Sequence, residues 1–168
     1  MRTGMQASAP SARKAGRHGL KVAVSSNFFI QAQPPRATAI AMLETAGLCV
    51  ADLREEHLRH FFYAASQGPP AGLVGLELYG RDALLRSLIV QEAERTKGLG
   101  TALVRHAEEY AAAQGVRSVY LLTLTAERFF ERLGYARADR SGAPAAIAGT
   151  SEFASLCPAS SAFMVKTL

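Results

Sequence analysis

Apolar positions recur at helical spacing in two stretches of the chain and gather at strand length in several others. Ile40, Leu43 and Ala46 mark the inward side of a helix over 37–46, entered through Pro34-Pro35 and stopped by Gly47. Leu99, Leu103, Ala107 and Tyr110 mark a longer helix, with Arg105, Glu108 and Glu109 on its other faces and Gly115 as its stop. Between these two, Asp52 has the chemistry of an N-cap for a helix running through His60. Strand-like runs fall at 28–32, 61–65, 73–79, 84–90, 118–122 and 135–138, and 163–168 closes the chain as an edge strand. The segment 125–133 reads as a short helix closed by Gly134, and a further short helix passes through Phe153 and Leu156 in the long connection 142–161. Irregular alternation of strands and helices defines an α+β, mixed-sheet domain.

Length and composition narrow the picture. The chain has 168 residues, enough for one domain with a sizeable core. No apolar run is long enough to cross a bilayer. The two cysteines, Cys49 and Cys157, stand in no metal-ligand spacing and predict neither a metal centre nor a disulfide framework, which fits a cytoplasmic protein. The net charge of +5 suggests nucleic acid until it is located. Arg2, Arg13, Lys14, Arg17 and Lys21 hold five of the 19 basic residues in a segment without acids, which leaves 14 against 14 acidic residues in the rest. The body is therefore neutral, and no nucleic-acid face is expected. Residues 1–27 read as a basic, disordered tail in which Lys21 to Val24 form a little extended structure, and residues 28–168 as the folded domain.

The informative turn is Arg95-Thr96-Lys97-Gly98-Leu99-Gly100-Thr101, set between an apolar strand and the long helix. The first amides of a helix lack intrahelical acceptors, and the helix dipole adds positive potential at the same end. Gly98 and Gly100 leave room for close approach, and Arg95 and Lys97 add charge, so the turn suits a phosphate or pyrophosphate. A Walker loop is excluded because the lysine precedes the glycines, and a Rossmann fingerprint because the third glycine and the acidic residue are missing.

This stretch resembles the acyl-CoA motif of the GNAT superfamily of N-acetyltransferases, Arg/Gln-x-x-Gly-x-Gly/Ala after a strand ending in Leu-x-Val, here Leu88-Ile89-Val90 and Arg95 to Gly100. A second stretch, Ala126-Glu127-Arg128-Phe129-Phe130-Glu131-Arg132-Leu133-Gly134-Tyr135, is similar to the superfamily's Ala-x-x-Phe-Tyr-x-x-x-Gly-Phe. The resemblance implies a central mixed, mostly antiparallel sheet with a V-shaped splay, flanked by helices. It also implies acetyl-CoA as co-substrate, with its pantetheine arm on the free backbone groups of Leu88 and Val90 and its pyrophosphate on the amides of Lys97 to Thr101. By the same resemblance Ile89, Arg95 and Thr96 border the cofactor, and Phe129 and Phe130 wall the thioester channel or belong to the core. The stretch from Glu152 to Pro158, with Met164-Val165-Lys166, looks like the small GNATs associated with arsenic-resistance operons.

The chain departs from the superfamily pattern twice. Leu84 stands where many members carry a glutamate base, and Phe130 where many carry a tyrosine acid. Glu77 is the substitute candidate, since a carboxylate in an otherwise apolar strand needs a partner or a raised pKa. With Gly80-Arg81 as the hairpin loop Glu77 lies opposite Leu84; with Arg81-Asp82 it faces Arg86, and glycine in first place favours the former turn. Either register puts Glu77, Leu84 and Arg86 on one sheet face, where Glu77 acts on substrate or simply pairs with Arg86. Arg86 is a candidate fork for a substrate carboxylate, and Thr125 a candidate to orient substrate or water, with helix capping as its alternative. His57, His60 and His106 read as surface residues, and Tyr79, Tyr120 and Tyr135 as proton donors or core.

The expectation is thus a cytoplasmic acetyl-CoA-dependent N-acetyltransferase acting on a small amine, an amino acid or a toxic amino-acid analogue such as an arsenical. A protein or peptide acetyltransferase and a catalytically silent acyl-CoA sensor are the alternatives. A homodimer through 163–168 is compatible with that segment as an edge strand.

Overall fold

A computed structural model of the chain describes residues 22–25, 28–65 and 67–168. Among them eight strands form one sheet: β1 (Val22–Ser25), β2 (Phe28–Ala32), β3 (Phe61–Ala65), β4 (Gly72–Tyr79), β5 (Asp82–Val90), β6 (Ser118–Thr123), β7 (Ala136–Arg137) and β8 (Ala162–Thr167). Their spatial order is β1-β2-β3-β4-β5-β6-β8-β7. Only β5 and β6 run parallel; the remaining pairs are antiparallel. The helices are α1 (Arg36–Thr45), α2 (Leu99–Ala113), α3 (Glu127–Arg132) and α4 (Ala145–Ala148). The predicted α+β class and mostly antiparallel sheet are what the structure has. The expected disorder of the tail falls mostly outside the described residues, and the sheet already includes Val22–Ser25, ahead of the boundary placed at residue 28.

Helix α2 lies across one sheet face. Its Leu99, Leu103, Val104, Ala107 and Ala111 pack with Val74, Leu76, Ala83, Leu85, Val119, Leu121 and Met164. Each such leucine, fully buried, contributes roughly 1.5–3 kcal/mol. On the opposite face α1 sets Ala39 and Leu43 over Leu53, Leu58, Phe61 and Leu73. Beside it, Ile147 of α4 packs with Leu84 and Phe163. Gly75 permits that second layer: a Cβ there would stand 2.3 Å from the Phe61 ring.

Four expectations are corrected. No helix runs from Asp52 to His60. The stretch is turns followed by a single 3-10 turn, His57–His60, because Leu53 and Leu58 are drawn under α1 and the Asp52 carboxylate bonds Arg86 instead of capping. Strand β8 is not an edge, since it is held by β6 on one side and β7 on the other. In α1 the inward residues are Ala39 and Leu43, while Ala46 is exposed. Glu108 faces inward, where Lys166 reaches it at 2.7 Å.

Two details of the β4–β5 pair decide which groups reach the site. The hairpin between these strands turns on Gly80-Arg81, with Gly80 at φ 65°, and sets Glu77 opposite Leu84. Further along, the register slips: Gly75 pairs with Arg86 but Leu73 pairs with Ile89. The extra residue is a β-bulge, and Ser87 takes a left-handed conformation at φ 59°.

Candidate active site

Strands β5 and β6 pair only from Asp82/Ser118 to Leu84/Tyr120 and separate beyond that point. The bulge at Ser87 reverses which groups of β5 face outward. Gln91 donates its N–H to the Ala71 carbonyl on the β4 side at 2.8 Å, so by alternation Ile89 also faces β4. The N–H and C=O of Leu88 and Val90 therefore face the gap. In agreement, Arg95 Nε reaches across to donate to the Val90 carbonyl at 3.1 Å.

The glycine turn stands at the open end of this gap. The first hydrogen bond inside α2 runs from the Ala102 N–H to the Gly98 carbonyl, at 3.0 Å. The amides of Leu99, Gly100 and Thr101 consequently have no acceptor within the helix. Thr96 at φ 66° and Gly98 at φ 82° flank Lys97, a curled backbone of the kind that binds anions. Gly100 sits close to the far wall: a Cβ there would be 3.4 Å from both Phe129 Cζ and Val90 Cγ2.

A cavity of about 660 Å³ results from this arrangement, and Leu88, Ile89, Val90, Arg95, Thr96, Gly98, Gly100, Thr101, Thr125 and Phe129 border it. Of the predicted cofactor residues, Lys97 instead pairs with Glu94 at 3.3 Å, and Leu99 turns its side chain into the core. Phe130 packs edge-on against Phe129 and borders a second cavity of about 480 Å³. The two cavities meet at Leu48, Leu88, Thr125 and Ala126. Thr125 is thus at their junction and does not cap α3, which has no side-chain cap; in the turn ahead of that helix Thr123 Oγ1 accepts the Ala126 N–H at 3.0 Å.

The second cavity ends on a buried charge cluster. Arg86, its side chain 1% exposed, gives Nη1 to Asp52 and Glu77, each at 2.5 Å, and Nη2 to Asp52 at 2.9 Å. Glu152 makes an ion pair with the same Nη2 at 2.8 Å. Three carboxylates thus face one guanidinium. Burial opposes ionisation of Asp52, but the Arg86 hydrogen bond and charge outweigh it and hold its pKa below 3.8. Glu77 has no free oxygen: the other one accepts from the Tyr79 hydroxyl at 2.6 Å. Burial and this bond push the Tyr79 pKa up. Glu77 borders neither cavity, whereas Arg86 and Glu152 border the second.

Both cysteines also line the second cavity. Cys157 Sγ donates to Glu152 at 3.1 Å, and burial, with the Glu152 charge and this bond, pushes its pKa up to about 12. Sequence reasoning missed Asp52, Ser87, Glu152 and Cys157 as site residues. Asp52 and Glu152 lie 34 and 66 positions from Arg86, and no local pattern marks that convergence. The histidines lie elsewhere: His60 Nδ1 is 2.8 Å from the Tyr110 hydroxyl, and His106 packs edge-on against Phe62 in place of the expected surface position. Among the described residues no cluster suited to a metal ion occurs.

A strand pair that opens beside a glycine-started helix is the frame of an acyl-CoA site, and comparison with known proteins places the chain accordingly. Residues 22–135 match the sequence model of the Acetyltransferase (GNAT) family. The chain belongs to this family. It is 39% identical over 90 residues to an uncharacterized N-acetyltransferase of Chlorobaculum tepidum, a stretch covering 53% of this chain and 57% of that relative. N-acetylglutamate synthase from Neisseria gonorrhoeae, solved with coenzyme A and N-acetyl-glutamate, superposes with a TM-score of 0.73 at 18% identity, over 87% of this chain and 36% of the synthase. Rv2747 from Mycobacterium tuberculosis, solved in complex with CoA and NLQ, superposes at 0.67 with 19% identity, over 83% of this chain and 98% of that one. The chain therefore spans little more than half of the curated relative and about a third of the synthase. At these identities the solved structures establish the fold.

Proposed function

We propose that the protein transfers an acetyl group from acetyl-CoA to the amine of a small molecule. One observation carries this reading: the gap beyond Leu84 and Tyr120 joins bare amides at the start of α2 to a second, separate cavity. The donor lies along β5, with its diphosphate on the amides of Leu99 to Thr101 and its pantetheine on the backbone of Leu88 and Val90, as an added strand would lie. The thioester then sits at the junction with the second cavity, from which the amine attacks. A C–N bond forms, the C–S bond breaks, the amine loses a proton and the thiolate takes one. The Leu88 N–H, turned into the gap by the bulge, is placed to polarise the thioester carbonyl. Thr125 is placed to orient a water or donate to the thiolate. Phe129 walls the donor side and Phe130 the acceptor side.

For the acceptor we infer an amino acid or an analogue of one. The second cavity is small and ends on Arg86, and N-acetyl-glutamate accompanies the synthase of the same fold. An arsenical amino acid is the analogue suggested by the resemblance of the 152–158 stretch.

Two measurements test this. With acetyl-CoA at about a hundred times its Kd, a native-state ligand adds about 2.7 kcal/mol, and Tm rises roughly 5–10 °C. Free-thiol release over a panel of amino acids, arsenicals and peptides then identifies the acceptor. The lack of a proton-carrying side chain at Leu84 and Phe130 favours one other reading, a silent acyl-CoA sensor. Binding with no turnover on any amine would decide for it.

Glu77 acts through Arg86 and Tyr79 as a positioning residue. Glu77→Gln is expected to lower kcat/KM about tenfold, about 1.4 kcal/mol, with little change in Tm. Kinetics across pH check this, and a profile identical to the wild type removes Glu77 from the mechanism.

A further inference from the structure

The Arg86 guanidinium is over-supplied with carboxylates. Its N–H groups go to Asp52 twice, to Glu77 once and to the Ser87 hydroxyl once, the last at 3.4 Å, and Glu152 adds an ion pair at Nη2. One guanidinium against three carboxylates leaves a formal charge of minus two. Arg140 is engaged elsewhere: it lies over the Phe153 ring, 4.3 Å from its centroid, and gives Nη2 to the Phe153 carbonyl. The three acids are not equivalent. Asp52 grips the fork with both oxygens, and Glu77 is pinned by Arg86 and Tyr79 together. Glu152 makes a single contact to Nη2, has the most exposed side chain of the three at 18%, and alone among them borders the acceptor cavity. It is carried on one π-helical turn, Glu152–Leu156, a rare geometry that recurs at functional sites.

Resting on the acetyltransferase reading, we propose that Glu152 is a built-in stand-in for the acceptor's own anion. The acceptor is an amine bearing a carboxylate or comparable anionic group, which takes the place of Glu152 on Nη2 of Arg86. Exchange of one anion for another leaves the charge on Arg86 unchanged, so it avoids stranding a buried charge. The displaced Glu152 also releases the Cys157 thiol that it holds.

The test uses the full chain, as wild type, Glu152→Ala and Glu152→Gln. The substrates are methionine and leucine, each beside the amine of the same side chain without the carboxylate. If Glu152 occupies the anion position most of the time, both variants lower KM for the amino acids at least about fivefold. KM for the decarboxylated amines stays where it was. A rise in amino-acid KM, an equal shift for acids and amines, or recovery of the wild-type KM in Glu152→Gln overturns the proposal. A second readout does not depend on turnover. Saturating amino acid, with coenzyme A bound, should speed alkylation of Cys157 followed by mass spectrometry; an unchanged or slowed rate counts against the exchange. Thermal shift with acetyl-CoA, together with free-thiol release on the amine panel, judges the acyltransferase reading separately.

Discussion

Gly100→Val leaves the protein folded and removes its grip on acetyl-CoA, with Kd weakened about 100-fold, or about 2.7 kcal/mol. The position is helical, so the substitution does not strain the backbone, and it replaces the residue type with the poorest helix propensity after proline. Its effect falls on the space outside the helix. A Cβ at Gly100 already stands 3.4 Å from Phe129 Cζ and Val90 Cγ2, at the tight edge of contact. The two further methyls of valine must extend into the cavity that Val90, Gly98, Thr101 and Phe129 border, across the bare amides of α2. A diphosphate cannot then reach those amides at hydrogen-bonding distance. Gly100→Ala gives the graded control, since the one added carbon is tolerated by a shift of a few tenths of an ångström. Titration calorimetry with acetyl-CoA, beside a Tm for each variant, makes the measurement. Near-wild-type binding in Gly100→Val, with the fold retained, would move the diphosphate away from the start of α2.

The features legible in the sequence are those set by short-range chemistry. The glycine turn, the long helix with its stop at Gly115, the hairpin on Gly80-Arg81 and the strand ending in Leu88-Ile89-Val90 each depend on residues within a few positions of one another. The face shared by Glu77, Leu84 and Arg86 follows from strand alternation once the turn is known, and the structure pairs Glu77 with Arg86. What was not legible depends on tertiary contact. Asp52 carries the signal of an N-cap, yet its carboxylate is claimed by a guanidinium on β5, and turns leading to the single 3-10 turn His57–His60 follow in place of a helix begun at Asp52. Glu108 has the sequence look of a solvated position, but Lys166 of β8 meets it inside. The bulge at Ser87 has no glycine or proline to announce it, though it is the bulge that turns Leu88 and Val90 toward the gap. Glu152 and Cys157 come from a long connection whose path over the sheet is fixed by Ile147 and Phe153 packing beside Phe163. Their place beside the second cavity is a property of that packing.

Replacing Arg86 by methionine should be the most damaging single change at the charge cluster. The substitute fills the volume but leaves Asp52, Glu77 and Glu152 facing one another without a cation. Breaking a buried pair in this way costs about 3–5 kcal/mol, and Tm should fall roughly 6–20 °C for a chain of this size. The loss carries a pH signature whose sign is set by Asp52. Its folded pKa is held below the ordinary 3.8, so the stability that Arg86 confers through it is complete above that value and lost as pH falls through the folded pKa. The gap between wild type and Arg86→Met is therefore widest near neutrality and closes in acid, where the carboxylates take up protons. Denaturant unfolding along a pH series measures it, and a gap that does not change with pH would mean that the ion pairs carry no part of the stability. Pairing Arg86→Met with Asp52→Asn removes one of the stranded charges and should recover part of the loss. Turnover of an amino acid should not return with it, because the anion position on Nη2 is gone whatever the stability. That separation of stability from turnover distinguishes an arginine that holds the fold from one that also holds the substrate.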